Sequence, residues 1–121
     1  MRIERVTLAV SDMDAMVRFY NEVFAAGLSP MADSAMYRGV FGGVPITFCP
    51  NDIADVRADQ SRHQYRIAVD SLDDTLLKIM THGGRIKDPV SEEQGERWMS
   101  VIDPDGNTLE LVEHRGPVMI E

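Results

Sequence analysis

Two arginines and one glutamate stand on predicted strands, at positions from which their side chains could act on a small molecule. Arg5, Arg66 and Glu110 each alternate with strongly apolar neighbours, such as Val6 and Ile67. Because successive side chains of a strand point to opposite faces, the three charged residues are predicted to share one face. An arginine there could bind a carboxylate or another anionic group through paired N–H donors. The alternative is an internal ion pair of Arg5 or Arg66 with Glu110, because an unpaired buried charge is costly.

Aromatic residues and an acidic run lie near these positions. Trp98 is predicted to line the same polar face as a ligand-binding residue. Tyr37 and Phe48 could form apolar walls, but aromatic residues in sheets are more often core residues, which is the interpretation we favour for Phe48. The acidic residues within positions 92–96 predict a solvated loop without a functional role.

The histidines and the cysteine give weak signals for chemistry. His63, His82 and His114 stand at the ends of predicted elements, where solvated histidines are common. Cys49 could lie on the polar face, but nothing beside it in the sequence would activate its thiol. We therefore expect Cys49 to be an inert core residue.

The composition opposes several classes of function. Twelve basic and twenty acidic residues give a net charge of −8, which disfavours binding to nucleic acid and to anionic membrane surfaces. No apolar run is long enough to cross a bilayer, and the amino end lacks the features of a signal peptide. The single cysteine excludes an intrachain disulfide and favours a cytoplasmic location.

The elements that must position these residues begin with a strand and a helix. Positions 3–10 alternate between apolar and mixed residues, which predicts a half-buried strand. Ser11 is the predicted helix N-cap, and apolar residues then recur at helical spacing until Gly27. Two hairpin strands are predicted at 35–41 and 44–49, on either side of a Gly-Gly turn.

The same pattern starts again in the second half, after a polar connection. The strand ending at Val69 and the helix capped by Asp70 repeat the first strand and helix, with Val69 placed on Val10 at an offset of 59 residues. Apolar residues of the second helix continue to a Gly83-Gly84 pair. Strands are predicted after it at 85–90, 97–102 and 108–113, with a tight DPDG turn at 103–106.

A doubled strand, helix and hairpin unit predicts an α+β fold of two tandem βαβββ modules. Each helix would cover its own sheet, and the strands would form a curved mixed sheet around a cleft. Apolar residues at 44% and charged residues at 26% are typical of one globular domain. We predict a single domain over 1–121, with module one at about 1–50, a linker at 51–62 and module two at about 63–115.

Both halves resemble the glyoxalase/bleomycin resistance/dioxygenase superfamily, whose members are also called vicinal-oxygen-chelate proteins. The first half carries LAVSDMDAMVRFYNEVFAAGL, and the second carries VDSLDD and WMSVIDPDGNTLELVE. The similarity covers nearly the whole chain, and DPDGNTLEL on a doubled unit is a specific motif. The resemblance implies a glyoxalase-like fold, a cleft for a small molecule and a homodimer, which is also the commonest assembly of soluble proteins.

Metal-dependent members of that superfamily hold one divalent ion on imidazole and carboxylate ligands. Carried over by register, the ligand positions are Arg5, Thr47, Gln64 and Glu110. Only Glu110 matches, because arginine has no lone pair to give and threonine and glutamine bind transition metals poorly. The usual site is therefore predicted to be absent. Glu110 and, after a strand slip, His63 are the remaining metal candidates.

Three functions are compatible with these residues. The favoured one is a small-molecule-binding protein that takes an anionic or oxygenated ligand in the cleft without a metal ion. Its predicted ligand-binding residues are Arg5, Thr47, Gln64, Arg66 and Trp98. The second is a metal-dependent lyase or dioxygenase, which the missing imidazoles oppose. The third is a metal-free acid/base enzyme with Glu110 as its catalytic proton acceptor.

Overall fold

The computed structural model describes residues 2–55 and 63–114, which form two modules of the same design. The first contains β1 (Val6–Val10), α1 (Met13–Phe24), β2 (Ser29–Pro30), β3 (Tyr37–Phe41) and β4 (Val44–Pro50), followed by the short helix α2 (Asn51–Ala54). The second contains β5 (Tyr65–Ala68), α3 (Leu72–Thr81), β6 (Arg85–Glu93), β7 (Glu96–Ile102) and β8 (Thr108–His114). The predicted α+β class and the tandem βαβββ modules are confirmed.

Each module folds into its own four-stranded mixed sheet. The strand orders are β1-β4-β3-β2 and β5-β8-β7-β6. In each sheet the first strand is parallel to the last strand of its module, and the other pairs are antiparallel. The first strand of each module therefore lies at an edge of its sheet. No helix in the described ranges is long and apolar enough to cross a membrane.

Several element ends differ from the prediction, among them the starts of β1, α1 and α3. β1 begins at Val6 rather than at position 3, because its partner β4 carries Pro45 next to Ile46, and proline has no N–H to donate to a further strand residue. Asp12 caps α1 and Ser71 caps α3, each accepting a backbone N–H, so the predicted caps one residue earlier are wrong. The observed caps, Asp12 and Ser71, are still separated by the 59-residue offset of the repeat.

Three segments without a predicted helix or strand contain regular structure. β2 pairs with β3, and the side chain of Asn21 holds the backbone before it through two hydrogen bonds with Leu28, of 2.6 and 3.0 Å. The predicted linker starts with α2, and its positions 56–62 lie outside the described residues. The acidic residues 92–96 end β6 and begin β7 around a turn at Gln94 and Gly95, so their prediction as a solvated loop is wrong.

The two modules share one apolar core. α1 packs against α3, and buried residues of both modules, among them Phe19 and Ile79, belong to the same cluster. Phe48 is fully buried there, as predicted, and Cys49 is buried as well. Gly84 lies where the modules approach closely, because a Cβ atom at this residue would lie 2.7 Å from Phe19 Cε2 of the first module, and 2.6 Å from Ile79 Cγ2 of its own.

Polar contacts of the DPDG turn also join the modules. The hydroxyl of Tyr20 on α1 donates to Asp103 Oδ2 at 2.9 Å, and both residues are buried. Asp105 accepts the backbone N–H groups of Ser11 and Asp12 at 2.7 and 3.0 Å, which stabilises the start of α1. Burial raises the pKa of Asp103, although hydrogen bonds from Asn107 and Tyr20 partly oppose the rise.

Candidate functional site

Arg66 and Glu110 lie side by side on the face of the second sheet that points away from α3. β5 and β8 are parallel with Arg66 opposite Glu110, and Ser100 of β7 continues the same row. Arg66 Nη1 lies 2.6 Å from Glu110 Oε1. The structure therefore forms the internal ion pair that the sequence indicated as one alternative.

A second carboxylate and an imidazole complete this group. Arg66 Nη2 lies 3.1 Å from Glu96 Oε1, and His114 Nδ1 lies 3.3 Å from Glu96 Oε2. We call Arg66, Glu96, Glu110 and His114 the polar cluster. Its side chains are 27 to 57% exposed, so each ion pair contributes at most about 1 kcal/mol to stability. Sequence reasoning missed Glu96, because that residue was assigned to a loop.

Two predicted ligand-binding residues flank the polar cluster. Gln64 lies just before β5, and its side-chain amide donates to the hydroxyl of Thr108 at 3.0 Å. Trp98 is half-buried on β7 and pairs in register with Val112 of β8. By alternation Trp98 shares a face with Glu96 and Ser100, next to the polar cluster. Their roles in binding remain predictions.

The two predicted residues of the first module lie elsewhere. Arg5 is exposed in the segment before β1, so strand alternation does not fix its direction. Thr47 is 4% exposed on β4, in register with Thr7 and Arg38. Within the described part of the chain, the buried hydroxyl of Thr47 has no hydrogen-bond partner. The structure brings neither residue into the polar cluster.

The residues at the expected metal-ligand positions do not suit a divalent ion. Glu110 is the one good donor of the four, and its carboxylate is already bound to a guanidinium. His63 is exposed just before β5 and has an interaction of its own. Among residues 2–55 and 63–114, no three His, Cys, Asp or Glu side chains form a group able to hold a metal. The chemistry of these donors supports no step through a metal ion.

A cavity of about 590 Å³ lies where the edge strands of the two sheets approach each other. We call it the edge cavity. Its walls are mainly apolar side chains of β1, β4 and β5, including Val6, Ile46 and Ile67. Tyr65 contributes an aromatic ring that packs edge-to-face on Phe41, with ring centroids 5.4 Å apart. Arg66 is the only charged residue among the described residues of its lining.

Comparisons with known proteins agree with this architecture. A family model described as the Glyoxalase/Bleomycin resistance protein/Dioxygenase superfamily matches residues 2–111. The chain belongs to this superfamily, and the predicted resemblance is confirmed. No match was found among curated protein sequences.

Solved structures share the fold at low sequence identity. The fosfomycin resistance protein FosX from Listeria monocytogenes superposes with a TM-score of 0.74 at 20% identity, covering 98% of this chain and 95% of that one. A glyoxalase/bleomycin resistance protein from Albidiferax ferrireducens T118 gives 0.70 at 18% identity, with 93% and 98% covered. A family enzyme from Burkholderia phytofirmans PsJN gives 0.73 at 17% identity, with 92% and 97% covered.

The role of Glu110 as a proton acceptor remains a prediction. A substrate would have to displace Arg66 to reach the carboxylate oxygen that Arg66 binds at 2.6 Å. A charge-assisted hydrogen bond to a guanidinium also fixes the position of an ionised carboxylate. The Oε1 atom of Glu110 is therefore better suited to positioning Arg66 than to proton transfer.

Proposed function

We propose that this protein binds a small molecule in the edge cavity, without a divalent metal ion. The observation that carries the proposal is the cavity of about 590 Å³ with apolar walls and Arg66 at its border. Cavities of a few hundred Å³ with apolar walls and few polar groups are the usual form of small-molecule sites. Arg66 would orient the ligand, and the apolar walls would supply most of the affinity.

One further observation supports a site that works without a metal, and a second supports a small molecule as the ligand. The carboxylate at the expected ligand position is bound to Arg66, and the other expected positions carry arginine, threonine and glutamine. The names of relatives refer to resistance to fosfomycin and bleomycin, both small molecules. A ligand of metabolite size that needs no metal ion agrees with these observations.

The proposal is tested by a fragment screen on protein purified without a metal-affinity tag, before and after treatment with EDTA. Binding is followed by two-dimensional NMR of backbone amides. We expect fragments to shift the amides of Tyr65–Ala68, and the shifts to be unchanged by EDTA. Val44→Trp should block binding, because Val44 lines the edge cavity. Leu77→Trp is the control, since Leu77 is 69% exposed on α3 and does not line the cavity.

Two results would contradict the proposal. One is a transition metal bound at one equivalent per chain, with ligand binding lost after chelation. That result would favour the metal-dependent lyase or dioxygenase instead. The other is a screen in which every fragment that binds the unchanged protein also binds Val44→Trp. That result would show that the site lies outside the edge cavity.

We also propose that two copies form a symmetric homodimer. β1 and β5 each have one edge without a strand partner among the described residues. Ile3, just before β1, is an exposed apolar residue beside one of these edges, and unpaired edges and exposed apolar side chains are common at interfaces. Light scattering should give twice the chain mass of 13.5 kDa. Ile3→Asp should weaken the dimer, whereas Leu77→Asp should not. A monomer at micromolar concentration would refute the proposed homodimer.

A cytoplasmic location is part of the same proposal. A single buried cysteine suits a reducing compartment, in which disulfides are not used for stability. Fractionation of cells that express the full chain should recover it with cytoplasmic markers. Recovery with an oxidising compartment or with membranes would contradict this assignment.

A further inference from the structure

The charge around Arg66 determines what kind of ligand the edge cavity can accept. Arg66 lines the cavity, but its Nη1 and Nη2 atoms are bound to Glu110 and Glu96 at 2.6 and 3.1 Å. One guanidinium and two carboxylates leave a net charge of −1 when the imidazole of His114 is uncharged. An incoming anion would therefore meet net repulsion, although an arginine lines the cavity.

Arg66 nevertheless keeps donors for an uncharged oxygen. A guanidinium carries five N–H groups, and the two carboxylates use only part of them. A carbonyl or ether oxygen could accept one of the remaining N–H groups without displacing either glutamate. Since the rest of the lining is largely apolar, the remainder of the ligand must be apolar too.

From this charge balance we infer that the ligand of the edge cavity is an uncharged, largely apolar molecule with an oxygen acceptor, and not an anion. The inference rests on the proposed function and narrows it to one ligand class. Glu96 and Glu110 act as positioning residues, because they hold Arg66 in place and cancel its charge. An aromatic group would suit the cavity, whose lining includes the edge-to-face rings of Phe41 and Tyr65.

Three probes of similar shape test the inference. Benzylacetone carries a neutral ketone, hydrocinnamate carries a carboxylate at the same position, and butylbenzene carries no oxygen. Dissociation constants are measured by NMR titration of the cavity amides. We expect benzylacetone to bind about fivefold or more tighter than hydrocinnamate, from repulsion of about 1 kcal/mol by the net charge. Benzylacetone should also bind more tightly than butylbenzene.

Two variants test whether the polar cluster causes the predicted order of affinities. The double variant Glu96→Gln with Glu110→Gln removes both carboxylates, and should tighten hydrocinnamate binding about fivefold or more while changing benzylacetone binding little. Arg66→Met should abolish the preference for benzylacetone over butylbenzene. Dispersion of the NMR spectra identifies any variant that fails to fold.

The outcomes separate the inference from the proposed function. Tighter binding of hydrocinnamate in the unchanged protein, or equal binding of benzylacetone and butylbenzene, overturns the inference and leaves the cavity as a binding site. If no probe or fragment shifts the cavity amides, the proposed function fails and the inference fails with it. The predicted order of affinities in the unchanged protein, with tighter binding of hydrocinnamate in the double variant, supports both.

Discussion

Replacing Tyr20 with Phe removes the buried hydrogen bond from α1 to the DPDG turn and should make the stability of the protein more dependent on pH. The lost bond is 2.9 Å long and ends on Asp103 Oδ2. The Asp103 carboxylate keeps its bonds from the Asp105 and Asn107 backbone N–H groups and from the Asn107 side chain. Because the acceptor is not left unpaired, the cost is that of one charge-assisted bond, about 1.5–3 kcal/mol when Asp103 is ionised.

The pH dependence follows from the direction of the pKa shift at Asp103. Burial raises the pKa of Asp103 in the folded protein, and the Tyr20 hydroxyl lowers it by bonding to the ionised form. Between the unfolded pKa of about 3.9 and the raised folded pKa, the folded state binds more protons, so stability falls as pH rises. Without the Tyr20 hydroxyl the folded pKa rises further, and stability falls more over a wider range.

The expected cost of Tyr20→Phe is therefore about 1 kcal/mol near pH 4 and about 1.5–3 kcal/mol near pH 8. Tyr20 itself stays neutral over this range, because burial raises its pKa well above the ordinary value. Urea unfolding followed by Trp98 fluorescence and circular dichroism measures both values. Tyr65→Phe is the control, since burial raises the pKa of Tyr65 with no carboxylate involved. A cost for Tyr20→Phe that is equal at both pH values would refute the reasoning.

Two further predictions concern contacts between the modules. Asp105→Ala should lower the free energy of unfolding by about 1–2 kcal/mol, because the amides of Ser11 and Asp12 lose their acceptor; urea unfolding without a change in midpoint would contradict it. Gly84→Ala should destabilise the protein by about 1–3 kcal/mol, because its Cβ would lie 2.7 Å from Cε2 of Phe19 in the other module. A melting temperature equal to that of the unchanged protein would show that the core adjusts freely there.

The fold was largely predictable because its signals are local and repeated. Alternation and helical spacing located α1, α3 and most strands, and the 59-residue repeat indicated the two modules. Each helix cap was misplaced by one residue, since Ser11 and Asp12 are both good cap residues and only the backbone conformation distinguishes them. β2 was missed because it has two residues, one of them Pro30, and no apolar period could reveal it.

The candidate site was predictable only in part. Alternation placed Arg66 and Glu110 on one face, and the parallel register of β5 and β8 then made their pairing unavoidable. Glu96 and His114 joined them because β7 begins at Glu96 and β8 ends at His114, each one residue beyond the strand that the apolar pattern indicated. The edge cavity depends on the distance between two sheets that are not hydrogen-bonded to each other, and no sequence period carries that information.

An arginine held by two glutamates recognises a ligand in a different way from a divalent metal ion. A divalent ion binds protein carboxylates and ligand oxygens at once, whereas a guanidinium that is already neutralised offers only directional N–H donors. Each ion pair of the polar cluster, being partly exposed, contributes at most about 1 kcal/mol. Burying about 100 Å² of apolar ligand surface contributes about 2.5 kcal/mol. Affinity in the edge cavity should therefore follow the apolar area of the ligand, while Arg66 selects its orientation and its charge.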